Sequence, residues 1–337
     1  MRHPYSAFGL TLVCDRPLPH HDPDYELDRT GETERVEISL APWSVADCRR
    51  ARRQSRQLYR SRSVDGDGNH LLTIARRAPD HALCLFFGDG ATFFVAPDGA
   101  WVEARWHAPS NLEDAATYLL GVVLGLVLRL RGVITLHASA VVIEGQAVAL
   151  AGDQGAGKST TAAAFAQRGF SVLSDDMTVL RESPRGFLVE PDFAILKLWP
   201  NASELLLGDA DLLPNLSATW DKRYLKLRTF GLPAAERSQP LRAVYLLDPQ
   251  PDSIDRIEIE DLRRLDALIA LLANTYGLVN FDRQMQALEL DVLARLVPAV
   301  PIRRLRRPAQ GFGPERVVEA ILTNLTGLDR RPIELAS

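Results

Sequence analysis

Apolar positions along this chain follow two rhythms. Up to about residue 105 they come in short runs, Leu71–Ile74, Leu83–Phe87 and Thr92–Val95, parted by turn formers such as Asp65-Gly66-Asp67-Gly68 and Pro97-Asp98-Gly99. Short runs bounded by Gly, Asp and Pro predict strands, and Val95–Trp101 reads as a hairpin across a tight turn. Residues 1–107 are therefore expected to form a small β-rich domain, with one helix near Val45–Tyr59. From Asn111 the rhythm changes. A polar start, with Ser110 and Glu113 at capping-box spacing, leads into apolar Tyr118–Leu130, which predicts a buried core helix ended by Gly132. Beyond it, strand-like runs (Leu136–Ile143, Ala147–Ala151, Ser171–Ser174, Ile195–Leu198, Ala243–Leu247, Val300–Leu305) alternate with helix-like ones (Thr160–Gln167, Leu262–Leu272, Arg283–Leu296, Pro314–Leu325). That alternation predicts an α/β domain over residues 108–337.

Composition narrows the setting. With 337 residues, 46% of them hydrophobic, the chain has ample core for one large domain or two ordinary ones. A net charge of −4 gives no general attraction to nucleic acid or anionic membrane. The apolar helix is too short to span a bilayer, and no secretory signal follows Met1-Arg2-His3-Pro4. Cys14, Cys48 and Cys84 lie far apart, as neither a disulfide framework nor a zinc site. A reducing cytoplasm, with no membrane and no nucleic-acid partner, is the expected setting. The arginines at 49, 50, 52, 53, 56, 60 and 62 read as a solvated basic face or as a docking patch for an acidic peptide.

Chemistry enters with Gly152-Asp153-Gln154-Gly155-Ala156-Gly157-Lys158-Ser159-Thr160. An apolar strand before it and an alanine-rich helix after it give a phosphate-binding loop its proper context. Glycines let backbone N–H groups face phosphate oxygens at the positive end of the helix. Lys158 can reach the outer phosphates, and the Ser159 hydroxyl can ligate Mg²⁺. The expected ligands are thus a nucleotide, ATP or GTP, and Mg²⁺. Asp175-Asp176 ends the next strand, and neighbouring carboxylates on a strand end point to different sides. One can hold metal while the other orients an attacking hydroxyl. His137 lies one strand away and can tune that carboxylate. Glu190 is a candidate second metal ligand, and Lys197, Lys222 and Arg223 are candidates to neutralise phosphoryl charge.

From Leu136 to Asp176 the chain resembles the HPr serine kinase/phosphorylase family: a strand histidine, a hairpin, the phosphate loop, one helix, then Asp-Asp. The wider span Asn111–Arg307 looks more like the stand-alone HPr-kinase-like proteins, some encoded beside lasso-peptide biosynthesis genes. It includes Leu136-His137-Ala138-Ser139-Ala140, Leu196-Lys197-Leu198-Trp199-Pro200, Asp221-Lys222-Arg223-Tyr224 and Leu272-Ala273-Asn274-Thr275-Tyr276. The glycine-bearing signature strand of true HPr kinases is not found after the Asp pair. The resemblance implies an ATP-dependent kinase acting on a serine hydroxyl of a precursor peptide or protein. It implies Asp175 as general base with His137 as its partner, Asp176 and Ser159 on Mg²⁺, and Lys158 on the phosphates. The order of the two aspartates stays open, as does a homo-oligomer. A small-molecule alcohol kinase and a non-catalytic nucleotide-binding regulator are the rival readings.

Overall fold

The computed structural model describes residues 2–22, 34–66, 68–78, 80–217, 220–250, 254–276, 282–308 and 313–328. Asp67 of the Asp65–Gly68 turn lies outside them. The first sheet has eight strands: β1 (His3–Ala7), β2 (Leu10–Cys14), β3 (Glu34–Pro42), β4 (Ser55–Arg60), β5 (Leu72–Arg77), β6 (Leu83–Phe87), β7 (Ala91–Val95) and β8 (Trp101–Trp106). Their order is β1-β2-β3-β8-β7-β6-β5-β4. Alternation does the sorting: Val36, Ile38 and Leu40 of β3 and Val102, Ala104 and Trp106 of β8 all turn to one buried face. Helix α1 (Val45–Arg53) covers part of the other face through Cys48.

The helix expected over Val45–Tyr59 stops at Arg53, and Ser55–Arg60 instead pairs with β5. The arginine run carries no apolar stripe to hold a longer helix. In the strand, Leu58 and Tyr59 pack on the sheet core.

The predicted core helix is two helices, α2 (Leu112–Tyr118) and α3 (Leu124–Leu130), joined by a π-helical turn at Leu119–Val123. Gly121 sits in that turn at φ −114°, ψ −106°, outside helical values. The cap is Asn111 with Asp114, one residue on from the expected Ser110 and Glu113. Both helices pack on the first sheet in one core that also takes Met177 and Val179. Residues beyond 107 thus close the core of the strands before 107.

The second sheet holds the loop. Its strands are β9 (Ile134–Leu136), β10 (Ala138–Ile143), β11 (Gln146–Ala151), β12 (Val172–Ser174), β13 (Thr178–Ser183), β14 (Gly186–Val189), β18 (Gln239–Gln250), β19 (Glu258–Asp261) and β20 (Ile302–Pro308). A small third sheet orders as β15 (Ile195–Leu198), β17 (Trp220–Lys226) and β16 (Asn215–Ser217). The centre is parallel, with β11 beside β18 and β18 beside β20. Helices α4 (Lys158–Gln167) and α8 (Pro314–Leu328) cover one face through Phe165, Val317 and Ile321. On the other face, α6 (Arg264–Ala273) and α7 (Arg283–Ala299) contribute Leu271, Leu293 and Leu296. A further helix, α5 (Pro200–Leu207), follows β15. The described residues from 108 to 328 thus show a mixed α/β architecture.

Two departures bear on the site. The strand expected over Leu136–Ile143 breaks at His137: Leu136 pairs with Thr178, while Ala138 pairs with Ala151. The His137 N–H donates instead to Asn274 O at 2.7 Å. The polar cluster Asp221–Tyr224, which also reads as a surface turn, lies within β17.

Candidate active site

The phosphate loop leaves the C-terminal end of β11, where parallel strands of an α/β sheet open their ligand crevice. Gly152, Gly155 and Gly157 take φ values of +143°, +85° and +93°. Glycine is required most strictly at 152, where a Cβ would stand 2.6 Å from Leu247 O. The Gly152 N–H donates to Asn274 Oδ1 at 2.9 Å, tying the loop to the end of α6. Lys158 is buried and folds back on its own loop, Nζ donating to Gly152 O at 2.7 Å and Asp153 O at 3.0 Å. Burial lowers its pKa.

The two aspartates face different environments. Asp175 is buried, 4% exposed, and its Oδ1 accepts from Ser159 Oγ at 2.8 Å and Ser139 Oγ at 2.6 Å. Its Oδ2 accepts from the Lys197 N–H at 2.8 Å. A carboxylate resting on the loop serine forms a hard-oxygen pair of the kind Mg²⁺ prefers.

Asp176 sits at φ +69°, a left-handed conformation that Asp tolerates better than most residues. This turn sends its carboxylate into the cleft. Lys197 Nζ stands 3.3 Å from it, His137 Nδ1 3.8 Å, and the Tyr276 hydroxyl donates to it at 3.5 Å. Burial works to raise its pKa, but Lys197, Lys222 and His137 outweigh burial and hold it well below the usual carboxylate range. His137 is pushed down by burial first and by Lys158 second. The carboxylate that meets His137 is thus Asp176, and the one on Ser159 is Asp175. His137 thus meets the other carboxylate of the pair than the Asp175 that the resemblance gives it.

Behind them, Asp192 accepts from the Asp175 N–H at 2.6 Å and the Ala194 N–H at 2.8 Å. Burial nevertheless pushes its carboxyl up to about 7.

The loop, Asp176, His137 and Lys197 line a cleft of about 1270 Å³, and Asp175 lies behind Ser159, outside its lining. Gly152, Asp153, Gln154, Gly155, Gly157, Lys158, Ser159, Thr160, His137, Asp176, Lys197 and Lys222 all reach it, while Ala156 is buried beneath the loop. The Lys222 ammonium also lies 5.5 Å from the Trp199 ring centre. Besides Asp175 and Ala156, the predicted residues Glu190 and Arg223 do not line the cleft. Glu190 pairs with Arg181 at 3.4 Å and accepts from Ser238 at 2.7 Å. Arg223 turns to Asn215 and Asp211.

The structure adds residues to which the sequence reading gave no role. Arg307, on β20, donates to Ala156 O at 3.3 Å and lines the cleft beside the loop. Tyr276 stacks on His137 with ring centres 5.6 Å apart. Its ring is wedged against Gly121 and Gly125, whose added Cβ atoms would stand 2.9 Å from its hydroxyl and 2.8 Å from Cδ1. Asn274 and Tyr276 fall in a stretch that the family resemblance already marks; Gly121 and Gly125 carry no sequence signal beyond Gly-x-x-x-Gly.

No family model and no curated protein matches the sequence. Among solved structures, the chain is similar to the HPr(Ser) kinase/phosphatase from Coxiella burnetii at 12% identity, over 58% of this chain and 99% of that one, with a TM-score of 0.33. No described helix is long and apolar enough to cross a membrane.

Proposed function

We propose that this chain is an ATP- and Mg²⁺-dependent kinase that transfers the γ-phosphoryl group to a serine hydroxyl, the serine belonging to a precursor peptide of the lasso-peptide kind, as the family resemblance implies. The observation that carries the reading is the division of labour at Asp175-Asp176. One carboxylate is bound to the loop serine, and its neighbour is turned into the open cleft beside Lys197 and a tyrosine hydroxyl. A protein that only binds nucleotide has no use for the second carboxylate.

Ser159 and Asp175 would hold Mg²⁺, and the loop N–H groups with Lys158 would hold the phosphates. Bound there, Mg-ATP supplies the transferable phosphoryl group and the metal charge that steadies it. Lys158 exchanges its loop carbonyls for phosphate oxygens. Asp176 is ionised at neutral pH, so it can accept the hydrogen bond of the attacking hydroxyl and then its proton. Its low basicity suits phosphoryl transfer, where orientation counts more than proton abstraction. Lys197, Lys222 and Arg307 add positive charge around the transferred group.

The test incubates the protein with Mg-ATP and a panel of acceptors: peptides from neighbouring genes, HPr and simple alcohols. Mass spectrometry looks for a gain of about 80 Da, one phosphoryl group. Asp176→Asn is expected to keep nucleotide affinity and lose about 10²–10⁴ in transfer rate. Asp175→Asn is expected to raise the Mg²⁺ concentration required. Wild-type transfer by Asp176→Asn would remove Asp176 from the mechanism, and an unmodified panel would count against the kinase reading itself.

A further inference from the structure

The arginine-rich segment ends on a sheet edge. β4 pairs with β5 on one side and, among the described residues, with no strand on the other. α1 leads straight into it, so the helix and the edge strand share one basic surface. Arg50 of that surface is held by Asp47, and Arg52 lies over the Phe86 ring at 4.7 Å. By contrast Arg49, Arg53, Arg56, Arg60 and Arg62 are exposed and have no carboxylate partner among the described residues.

Two observations separate this surface from an ordinary solvated face. Arg56 stands directly across from Arg76 in the β4–β5 register, and like charges in cross-strand register repel. The Arg76 Nε is also buried without an acceptor, a costly state for an N–H donor. Edge arginines alone can be explained as a guard against sheet-to-sheet aggregation. Arg76 is not on the edge strand, so that explanation does not reach it. An external anion bound between the guanidinium groups of Arg56 and Arg76 relieves their repulsion.

We propose that β4 is a docking strand for an extended, acidic polypeptide segment of a partner protein. The segment adds along the open edge, with main-chain hydrogen bonds for affinity and alternate carboxylates for specificity. Arg56 and Arg76 lie on the face that bears Ile74, and Arg60, opposite Thr73, lies on the face covered by α1. Carboxylates on both sides of the added strand therefore find cations. A nucleic acid is the poorer fit, because Tyr59, the aromatic of this strand, packs into the core and offers no stacking platform. The inference concerns binding alone and stands apart from the kinase reading.

The experiment titrates the full chain into a fluorescein-labelled, glycine-flanked (Glu-Val)₃ peptide and reads anisotropy. Comparators are the same peptide N-methylated on alternate residues, a (Lys-Val)₃ peptide and a short single-stranded DNA. The acidic peptide is expected to bind and to slow amide exchange along Gln57–Arg60. N-methylation, which keeps the charge and removes the strand pairing, is expected to weaken it by about tenfold or more, as is Arg56→Glu with Arg60→Glu. Both arginines are exposed, so the double variant should melt with the wild type. Arg60→Gln provides a milder second variant. Equal binding of the methylated peptide, tighter binding of the DNA, or no binding up to about 1 mM peptide, the weak end of specific recognition, would each overturn the proposal.

Discussion

The wedge of Tyr276 against α3 gives a prediction that needs no acceptor. An alanine at Gly125 would put its Cβ 2.8 Å from Tyr276 Cδ1 and 3.3 Å from Cε1. Ordinary contact needs about half an ångström more or beyond, and the ring cannot yield freely, because its far face stacks on His137. Overpacking of this kind costs about 1–3 kcal/mol. Against it, Gly→Ala in a helix interior gains about 1 kcal/mol in propensity. Gly125→Ala should therefore destabilise the wild type by about 0–2 kcal/mol. In a Tyr276→Ala background the clash is gone, and the same substitution should stabilise by about 1 kcal/mol. The coupling read from the double-mutant cycle is then about 1–3 kcal/mol. Urea unfolding of the four proteins at one pH measures it. A coupling near zero would mean that the ring does not rest on Gly125, and the positioning of the Tyr276 hydroxyl at Asp176 would lose its support. If the coupling holds, Gly125→Ala should also slow phosphoryl transfer, because small displacements of a positioned group cost up to about 10²-fold.

Further outcomes follow from the same geometry. Asp192, raised to about 7, and His21, lowered to about 4, act on stability in opposite directions. The native state holds the Asp192 proton that the unfolded chain releases, so this group loses stability as pH rises from about 4 towards 7. The unfolded chain holds the His21 proton that the native state lacks, so that group gains stability with pH over about 4 to 6.5. Asp192→Asn should unmask the rise, and urea midpoints flat across this window in the variant would refute it. Lys158→Met should weaken nucleotide binding by about 10–100-fold, the worth of a charge-assisted hydrogen bond, as read by calorimetry with Mg-ATP. Gly152→Ala, with its Cβ 2.6 Å from Leu247 O, should both lower the melting temperature and abolish nucleotide binding. Retention of wild-type affinity would mean that the loop does not hold this conformation.

Local chemistry was legible wherever the signal was local. The loop Gly152–Ser159, its lead-in strand and its helix are written in contiguous residues, because glycine at positive φ, a lysine and a hydroxyl must follow in fixed order. Asp175-Asp176 was legible for the same reason: a strand end and two adjacent carboxylates. What the sequence could not say was which carboxylate met which partner. That depends on Ser139, Ser159 and the Lys197 N–H converging on Asp175 from β10, α4 and β15, and on a left-handed turn at Asp176 that aims it elsewhere. Glu190 and Arg223 had the right chemistry at plausible strand positions, but Arg181 and Asp211 capture them.

Sequence by itself thus determined the α/β character, the loop and the charges that can serve it, since backbone freedom, periodicity and side-chain chemistry act over a few neighbouring residues. Tertiary structure alone decided the break of the His137 strand, the conversion of an arginine-rich helix end into the edge strand β4, and the π-turn before α3, with Gly121 and Gly125 seating Tyr276. Each of these is settled by a contact between segments far apart in the chain, and such contacts leave no period or spacing to read.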